Sequence, residues 1–459
     1  MNILAGWDTT IIERTGVLTR SDLESCKMMF RSSFLTLATL GILFTLTPNL
    51  QAEESTLPFY LHDGDVVVFY GDSITEQRQY SSMVEAFVVT RFPTLKVSFI
   101  NSGVGGDTVK GGGAGPIDTR IQRDILAYKP TVVTIMLGMN DGGRRAYDEG
   151  LFQTFSQGYL YILDQVSKAI PGTRFTLLEE SPFDEITRPP EFPGGYNATM
   201  LRYGEFVKKT AEDRKEAFAD FNHSVNAMLT KANAMDSKVA QQMLPDRVHP
   251  NPGGHLIMAE TLLKAWNAPG LVSQVEIDAK NNKVVTANQT TVSELQTAGT
   301  ISWQQLDNRL PFPMDPNDPG TLALALKCSD FVDALDQETL KVTGLDKESY
   351  RLKIDGTDMG NFTSAQLDAG VNLATLHTPM FMQAAQVANL TYLHHDKHFM
   401  RWRQLQVPLE ADTDPELKTA LPVVLRAFDR QEEAIVAQQR EAAQPKPHKY
   451  ELTESTTNP

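Results

Sequence analysis

The stretch "VVFYGDSITEQ", residues 67–77, decides the reading of the fold. A β-branched and aromatic run is strand material, and it stops at a glycine followed at once by aspartate, serine and polar residues. In an open α/β sheet the carboxyl ends of the strands face the ligand crevice, and a helix starting there points unpaired N–H groups into it. Ser73 stands at such an edge. Position alone leaves a second reading open, in which the serine only caps the helix expected to begin near Gln79. The choice rests on the chemistry of other stretches.

Short apolar runs alternate with helical patterns from Asp65 to Trp266, as in a sheet with crossover helices. Strands are expected at 66–70, 97–101, 132–137, 175–179 and 217–221, and helices at 80–91, 117–127, 151–169, 200–215 and 253–266. The proline- and glycine-rich "SPFDEITRPPEFPGGYN" at 181–197 reads as a loop on the carboxyl edge after the fourth strand. Beyond "NAPG" at 267–270 the pattern becomes alternating, as in "VEIDAKNNKVVTAN", where Asn281 and Asn282 suggest a hairpin. "TSAQ" at 363–366 has capping-box spacing, and Thr378 before Pro379 opens a longer helix running toward Arg403. In "LHHDKH", His394 and His398 are four apart, a metal-ligand spacing. Without a third ligand the expectation is a solvated helix face.

The composition is globular, 41% hydrophobic and 22% charged, with a formal net charge of −15. The first 52 residues hold four acids and four bases, so the negative charge belongs to the rest of the chain. Such a balance opposes nucleic acid and anionic membranes. Cys26 and Cys328 are too few for a thiolate zinc site or a disulfide framework. Near the N-terminus, "MMFRSSFLTLATLGILFTLTPNLQAEES" looks like a secretory signal starting at Met28 or Met29. Arg31 supplies the positive charge and Ala52 a cleavage point. Its apolar stretch, Phe34 to Leu46, falls short of the roughly 20 residues of a membrane span. Export follows as an expectation, with no stable membrane span after processing.

Three further stretches fall at expected strand ends or before the last helix, and each supplies a group that Ser73 needs: "NSGVGGDT" at 101–108, "LGMNDGG" at 137–143 and "PDRVHPNPGGH" at 245–255. A serine hydroxyl is a weak nucleophile until a base takes its proton, and His249 is that candidate base. Asp246, three residues earlier, is spaced to accept from the imidazole Nδ1–H and fix the tautomer. An oxyanion needs donors, and the Ser73 N–H, the Gly106 N–H and the Asn140 carboxamide are the candidates. His255 reads as a structural hydrogen-bond partner on the final helix.

These four stretches, in this order, resemble the blocks of the SGNH hydrolases, also called the GDSL lipase/esterase family. The resemblance covers roughly residues 58–268. It implies Ser73 as nucleophile, Asp246 and His249 as the rest of a triad, and Gly106 and Asn140 beside Ser73 as oxyanion donors. It further implies a flavodoxin-like three-layer α/β/α sandwich on a parallel five-stranded sheet, and no metal or organic cofactor. The glycine-rich "VKGGGAGP" at 109–116 departs from the pattern and leaves the path near Gly106 open. The later alternating region resembles a C-terminal extension of some bacterial members.

The organisation expected is an upstream extension with signal peptide at 1–52, a catalytic domain at 53–268, a smaller mixed α+β extension at 269–439 and a disordered tail at 440–459. The activity expected is that of an exported serine esterase, acting through an acyl-enzyme on a small-molecule or polysaccharide ester, with carbohydrate deacetylation foremost. A lipid or lysophospholipid esterase and a non-catalytic glycan-binding module are the alternatives.

Overall fold

The computed structural model describes residues 58–314 and 320–455. The expected signal segment lies outside them. Among the described residues no helix is long and apolar enough to cross a membrane.

The chain opens with β1 (Val66–Gly71), α1 (Ser73–Glu76), α2 (Gln79–Arg91) and β2 (Ser98–Gly103). A minimal hairpin, β3 (Gly111–Gly112) and β4 (Gly115–Pro116), absorbs the glycine-rich run and leads to α3 (Ile117–Asp124). There follow β5 (Val132–Met136), α4 (Glu149–Ala169), β6 (Arg174–Glu179), α5 (Asn197–Arg214) and β7 (Ala217–Asp220). α6 (Phe221–Met235), α7 (Ser237–Ala240) and α8 (Pro252–Ala265) complete this half; α6 was not anticipated from sequence.

The first sheet has the order β2-β1-β5-β6-β7, with every pair parallel. Val67 to Tyr70 of β1 are fully buried, as a strand covered by helices on both faces requires. Each such side chain contributes about 1.5–3 kcal/mol on burial. Strand order reverses at β1, so the crevice of a doubly wound sheet opens between the carboxyl ends of β1 and β5. This is the flavodoxin-like sandwich expected.

The remainder adds β8 (Leu271–Asp278), β9 (Lys283–Asn288), β10 (Thr290–Gln296) and β11 (Ile301–Asp307), then α9 (Thr321–Cys328), α10 (Phe331–Leu335) and β12 (Gln337–Thr343). After these come β13 (Ser349–Ile354), β14 (Thr357–Thr363), α11 (Ser364–Ala369), β15 (Val371–Asn372), α12 (Pro379–Phe399), a π-helical turn Met400–Gln406, α13 (Val407–Leu409), α14 (Pro415–Ala442) and β16 (His448–Glu454). Two sheets result, β10-β11-β16-β13-β14 and β15-β12-β8-β9. The hairpin at Asn281 and Asn282 joins β8 to β9, and Thr363 with Gln366 forms the capping box of α11.

The expectation of a disordered tail is corrected. β16 occupies the centre of its sheet between β11 and β13, and Tyr450 and Leu452 are buried, Tyr450 stacked on Trp303. Polar flanks and two prolines masked a period-2 pattern in "HKYELTE". The cut at 269 also does not divide the packing. Leu324, Phe331 and Leu335 of α9 and α10 belong to the same apolar cluster as the α/β sheet, and the described residues fall within one compact unit.

A second correction concerns α12. His394, His395 and His398 are buried rather than solvated. His394 Nδ1 lies 2.9 Å from Glu85 of α2 and its Nε2 3.3 Å from Glu432 of α14. His395 Nε2 lies 2.9 Å from Glu85, and His398 Nδ1 3.2 Å from Glu432. The donor atoms of Glu85, His394 and His395 fall within 4.8 Å of one another, a grouping compatible with a cation, yet each already faces an ion-pair partner.

Burial disfavours a charge on His394, but the flanking carboxylates outweigh it and lift the imidazolium to about 10. Burial likewise opposes the charges of Glu85 and Glu432, and the imidazoles win there too, driving both far below the usual carboxylate range. The raised imidazolium contributes stability in full below its unfolded value of 6.5 and loses it as pH rises through about 10. The depressed carboxyls contribute above their unfolded value of 4.5 and lose that only in strong acid. The contribution of His394, Glu85 and Glu432 to the melting temperature should therefore be largest between about pH 4.5 and 6.5 and fall by on the order of 5 °C toward pH 10. Glu432→Gln should flatten that decline. An unchanged slope in the variant would show that the cluster does not couple to folding.

Candidate active site

Ser73 is the first residue of α1, and the cap of that helix is Asp72, whose Oδ1 accepts the Ile74 N–H at 3.0 Å. The position before α2 is held by Arg78 in the left-handed region, φ 63°. Ser73 therefore caps neither helix. Its Oγ lies 2.7 Å from His249 Nε2.

His249 sits in the loop before α8. There the Asp246 Oδ1 accepts the N–H groups of Val248 and His249 at 3.0 and 2.8 Å. That tight turn leaves Oδ2 for His249 Nδ1, 2.6 Å away. The hydrogen bonds assign the tautomer, with Nδ1–H donating to the carboxylate and Nε2 free to accept from the serine hydroxyl. Partial burial pushes the Asp246 carboxyl up, but the His249 side chain and the two backbone donors outweigh it and hold it below the usual range. The residue that orients the imidazole is thus ionised at neutral pH.

The edge loop 181–197 supports this turn. Arg247 Nη1 donates to the carbonyls of Asp184 and Pro189, and Arg188 donates to those of Gln241, Leu244 and Pro245.

The segments that carry the three candidate oxyanion donors are tied together by Asn140 near the carboxyl ends of β1 and β5. Asn140 follows β5, and its Nδ2 donates to the Asp107 carbonyl at 2.9 Å and to Asp72 Oδ2 at 3.2 Å. One carboxamide thereby ties the residue before Ser73 to the residue after Gly106. Gly106 is exposed with φ +72°, a backbone state that strains any side chain. At Gly105 a Cβ would stand 2.8 Å from Glu76 Oε2, so a side chain there would displace that carboxylate.

Behind the donors lie further acids. Burial, with Asp141 and Asp107 adding to it, raises the Asp72 carboxyl, and burial with the Asp72 charge raises Glu180. Two buried carboxyls in one pocket cannot both ionise cheaply. The ground beneath the oxyanion donors is therefore less negative than its acid count suggests. His255, fully buried and pushed down to about 3 chiefly by burial, is neutral and lies 2.9 Å from Gln77 Oε1, the structural partner expected.

Sequence reasoning missed Glu76, Arg120 and Arg403. Arg120, fully buried, donates to Asp107 Oδ2 at 2.8 Å and to the Ser102 carbonyl at 2.9 Å, and also pairs with Asp124. No short-range spacing marks it as part of the site.

Residues 69–257 match the model of the GDSL-like lipase/acylhydrolase family. Among curated proteins, an acetylxylan esterase of Geobacillus stearothermophilus is 28% identical over 223 residues, 44% of this chain and 93% of that protein. Among solved structures, a gut microbial diltiazem-metabolizing enzyme superposes with a TM-score of 0.75 at 26% identity, over 86% of this chain and 98% of that one. The second likeness extends through much of the C-terminal half.

Proposed function

We propose that this chain, a carboxylic ester hydrolase whose residues 69–257 form a GDSL-like lipase/acylhydrolase domain, releases short acyl groups, foremost acetyl from carbohydrate, through an acyl-enzyme on Ser73. The observation that carries the reading is the relay Ser73 Oγ to His249 Nε2 at 2.7 Å and His249 Nδ1 to Asp246 Oδ2 at 2.6 Å. His249 takes the hydroxyl proton as Oγ attacks the ester carbonyl, and Asp246 stabilises the imidazolium that forms. The oxyanion is met by the N–H groups of Ser73 and Gly106 and by Asn140. The imidazolium then returns its proton to the leaving alkoxide, and water repeats the sequence to free the acid.

The acetyl preference rests on the acetylxylan esterase relative. A series of p-nitrophenyl esters of increasing acyl length should show the largest kcat/KM at acetate, and acetylated xylan should release acetate. Faster turnover of long-chain esters would instead favour a lipid esterase. Affinity for glycan with no ester turnover would favour a binding module. Export is proposed on the sequence of residues 28–52 alone, with the secreted form beginning at Glu53.

A further inference from the structure

We infer that the C-terminal extension completes the acyl-transfer centre, with Arg403 on the π-helical turn acting as a positioning residue for the oxyanion loop through Glu76 and the Gly105 N–H. The inference rests on the serine esterase reading above.

Glu76 is the last residue of α1, one turn beyond Ser73, and its two carboxylate oxygens face opposite ways. Oε2 accepts the Gly105 N–H at 3.0 Å, and Oε1 accepts from Arg403 Nε at 2.9 Å. Gly105 directly precedes Gly106, whose N–H is a candidate oxyanion donor. A charge-assisted bond at that position sets the peptide plane of the loop. A carboxylate held from one side only would be free to rotate off the amide; the guanidinium removes that freedom.

The same turn supports the other end of the loop. Trp402, fully buried, packs with Val104 and Ala114, and its indole N–H donates to Asp124 at 2.6 Å. Arg120 lies over its ring at 5.9 Å and holds Asp107, the residue whose carbonyl accepts from Asn140. Adjacent residues of one π-helical turn thus act on both flanks of residues 105–107. A π segment widens the helix and offsets its side chains from α-helical register, and such segments are frequent at functional sites.

Two further contacts keep the turn in place. Arg78, in a left-handed conformation between α1 and α2, reaches Asp396 at 3.1 Å and lies 4.1 Å over the Phe399 ring. One turn earlier in α12, the buried His394 and His395 pair with Glu85 of α2. The helix that delivers Arg403 is anchored by charge and by burial.

The test compares Arg403→Ala, Arg403→Lys, Glu76→Ala and Glu76→Gln with the native enzyme and with Ser73→Ala, all on p-nitrophenyl acetate. Binding of phenylboronic acid, which forms a tetrahedral adduct on an active serine, is measured alongside. Arg403→Ala should lower kcat by about 10- to 100-fold, less than the about 10²- to 10³-fold that deleting an oxyanion donor outright commands, with KM within about threefold. Boronate affinity should fall in parallel. Arg403→Lys should recover part of kcat, and Glu76→Gln, which keeps an acceptor for the Gly105 N–H, should retain more than Glu76→Ala.

If Arg403→Ala is folded and keeps kcat within about twofold, or loses kcat with boronate affinity unchanged, the inference is overturned. A rise in KM that lysine does not repair would make Arg403 a substrate contact and overturn it as well. Should the alanine variant fail to fold, the lysine and Glu76→Gln variants carry the same comparison. Persistent turnover in Ser73→Ala would defeat the serine reading itself, an outcome distinct from failure at Arg403 alone.

Discussion

Ser73→Ala will fold normally and form no acyl-enzyme, with kcat reduced by about 10⁶-fold, roughly 8 kcal/mol of transition-state stabilisation. The size follows from how the relay works as a unit: without Oγ, His249 has nothing to activate, and the oxyanion donors are left to assist attack by water alone. The side-chain hydrogen bond lost is that to His249 Nε2, so the melting temperature should shift by no more than about 2 °C. Mass spectrometry after a rapid quench with p-nitrophenyl acetate should find an acetylated native protein and an unmodified variant. An acetylated variant, or turnover within tenfold of native, would place the nucleophile elsewhere. His249→Ala should lose nearly as much, since either member alone disables the relay.

The parts of this site that were legible in the sequence are those whose geometry is local. Asp246 and His249 lie three residues apart, and the turn that joins them is made by backbone donors within that same short loop. Ser73, Gly106 and Asn140 each follow a strand, so alternation of apolar runs with helical patterns was enough to bring them to one edge. The expected strands and helices of the α/β half lie within three residues of those observed. The sequence could not report contacts made across the whole chain. Arg403 reaches Glu76 over 327 residues, and Trp402 reaches Asp124 over 278; neither pair has a spacing or a period. The π-helical turn has no local signature either.

The buried histidines of α12 were misjudged for a related reason. A helix that packs polar side chains against carboxylates of α2 and α14 has the composition of a solvated face. Only the facing elements reveal that Glu85 and Glu432 await those imidazoles. β16 shows the converse: its alternation was present in sequence, but burial of Tyr450 and Leu452 depends on β11 and β13 lying on either side. In both cases the missing information was the identity of the neighbour.

Asn140→Ala should cost about 10²- to 10³-fold in kcat, roughly 3 to 4 kcal/mol, with KM little changed. The carboxamide does two things in the resting enzyme. Its bond to the Asp107 carbonyl, 2.9 Å, is the shorter, and the bond to Asp72 Oδ2, 3.2 Å, is the longer. Both partners are engaged in the resting enzyme, so presenting the carboxamide to a developing oxyanion shifts the group off the longer bond, and the raised Asp72 carboxyl releases it more readily than a fully ionised one would. Charge that appears only in the transition state is then met by a donor whose cost in the ground state is small. Alanine removes that donor and also releases the tie to the residue after Gly106, so some loss of melting temperature is expected with the loss of rate. The ratio of the two effects decides the role. If Asn140 served only to shape the turn after β5, the variant would lose several degrees of melting temperature while its folded fraction kept kcat within a factor of about three, under 1 kcal/mol. Measured kcat, KM and melting temperature for Asn140→Ala, with phenylboronic acid affinity as the reporter of the tetrahedral state, separate these outcomes. Loss of boronate affinity in step with kcat identifies the oxyanion donor, and retention of both would remove Asn140 from the acyl-transfer centre.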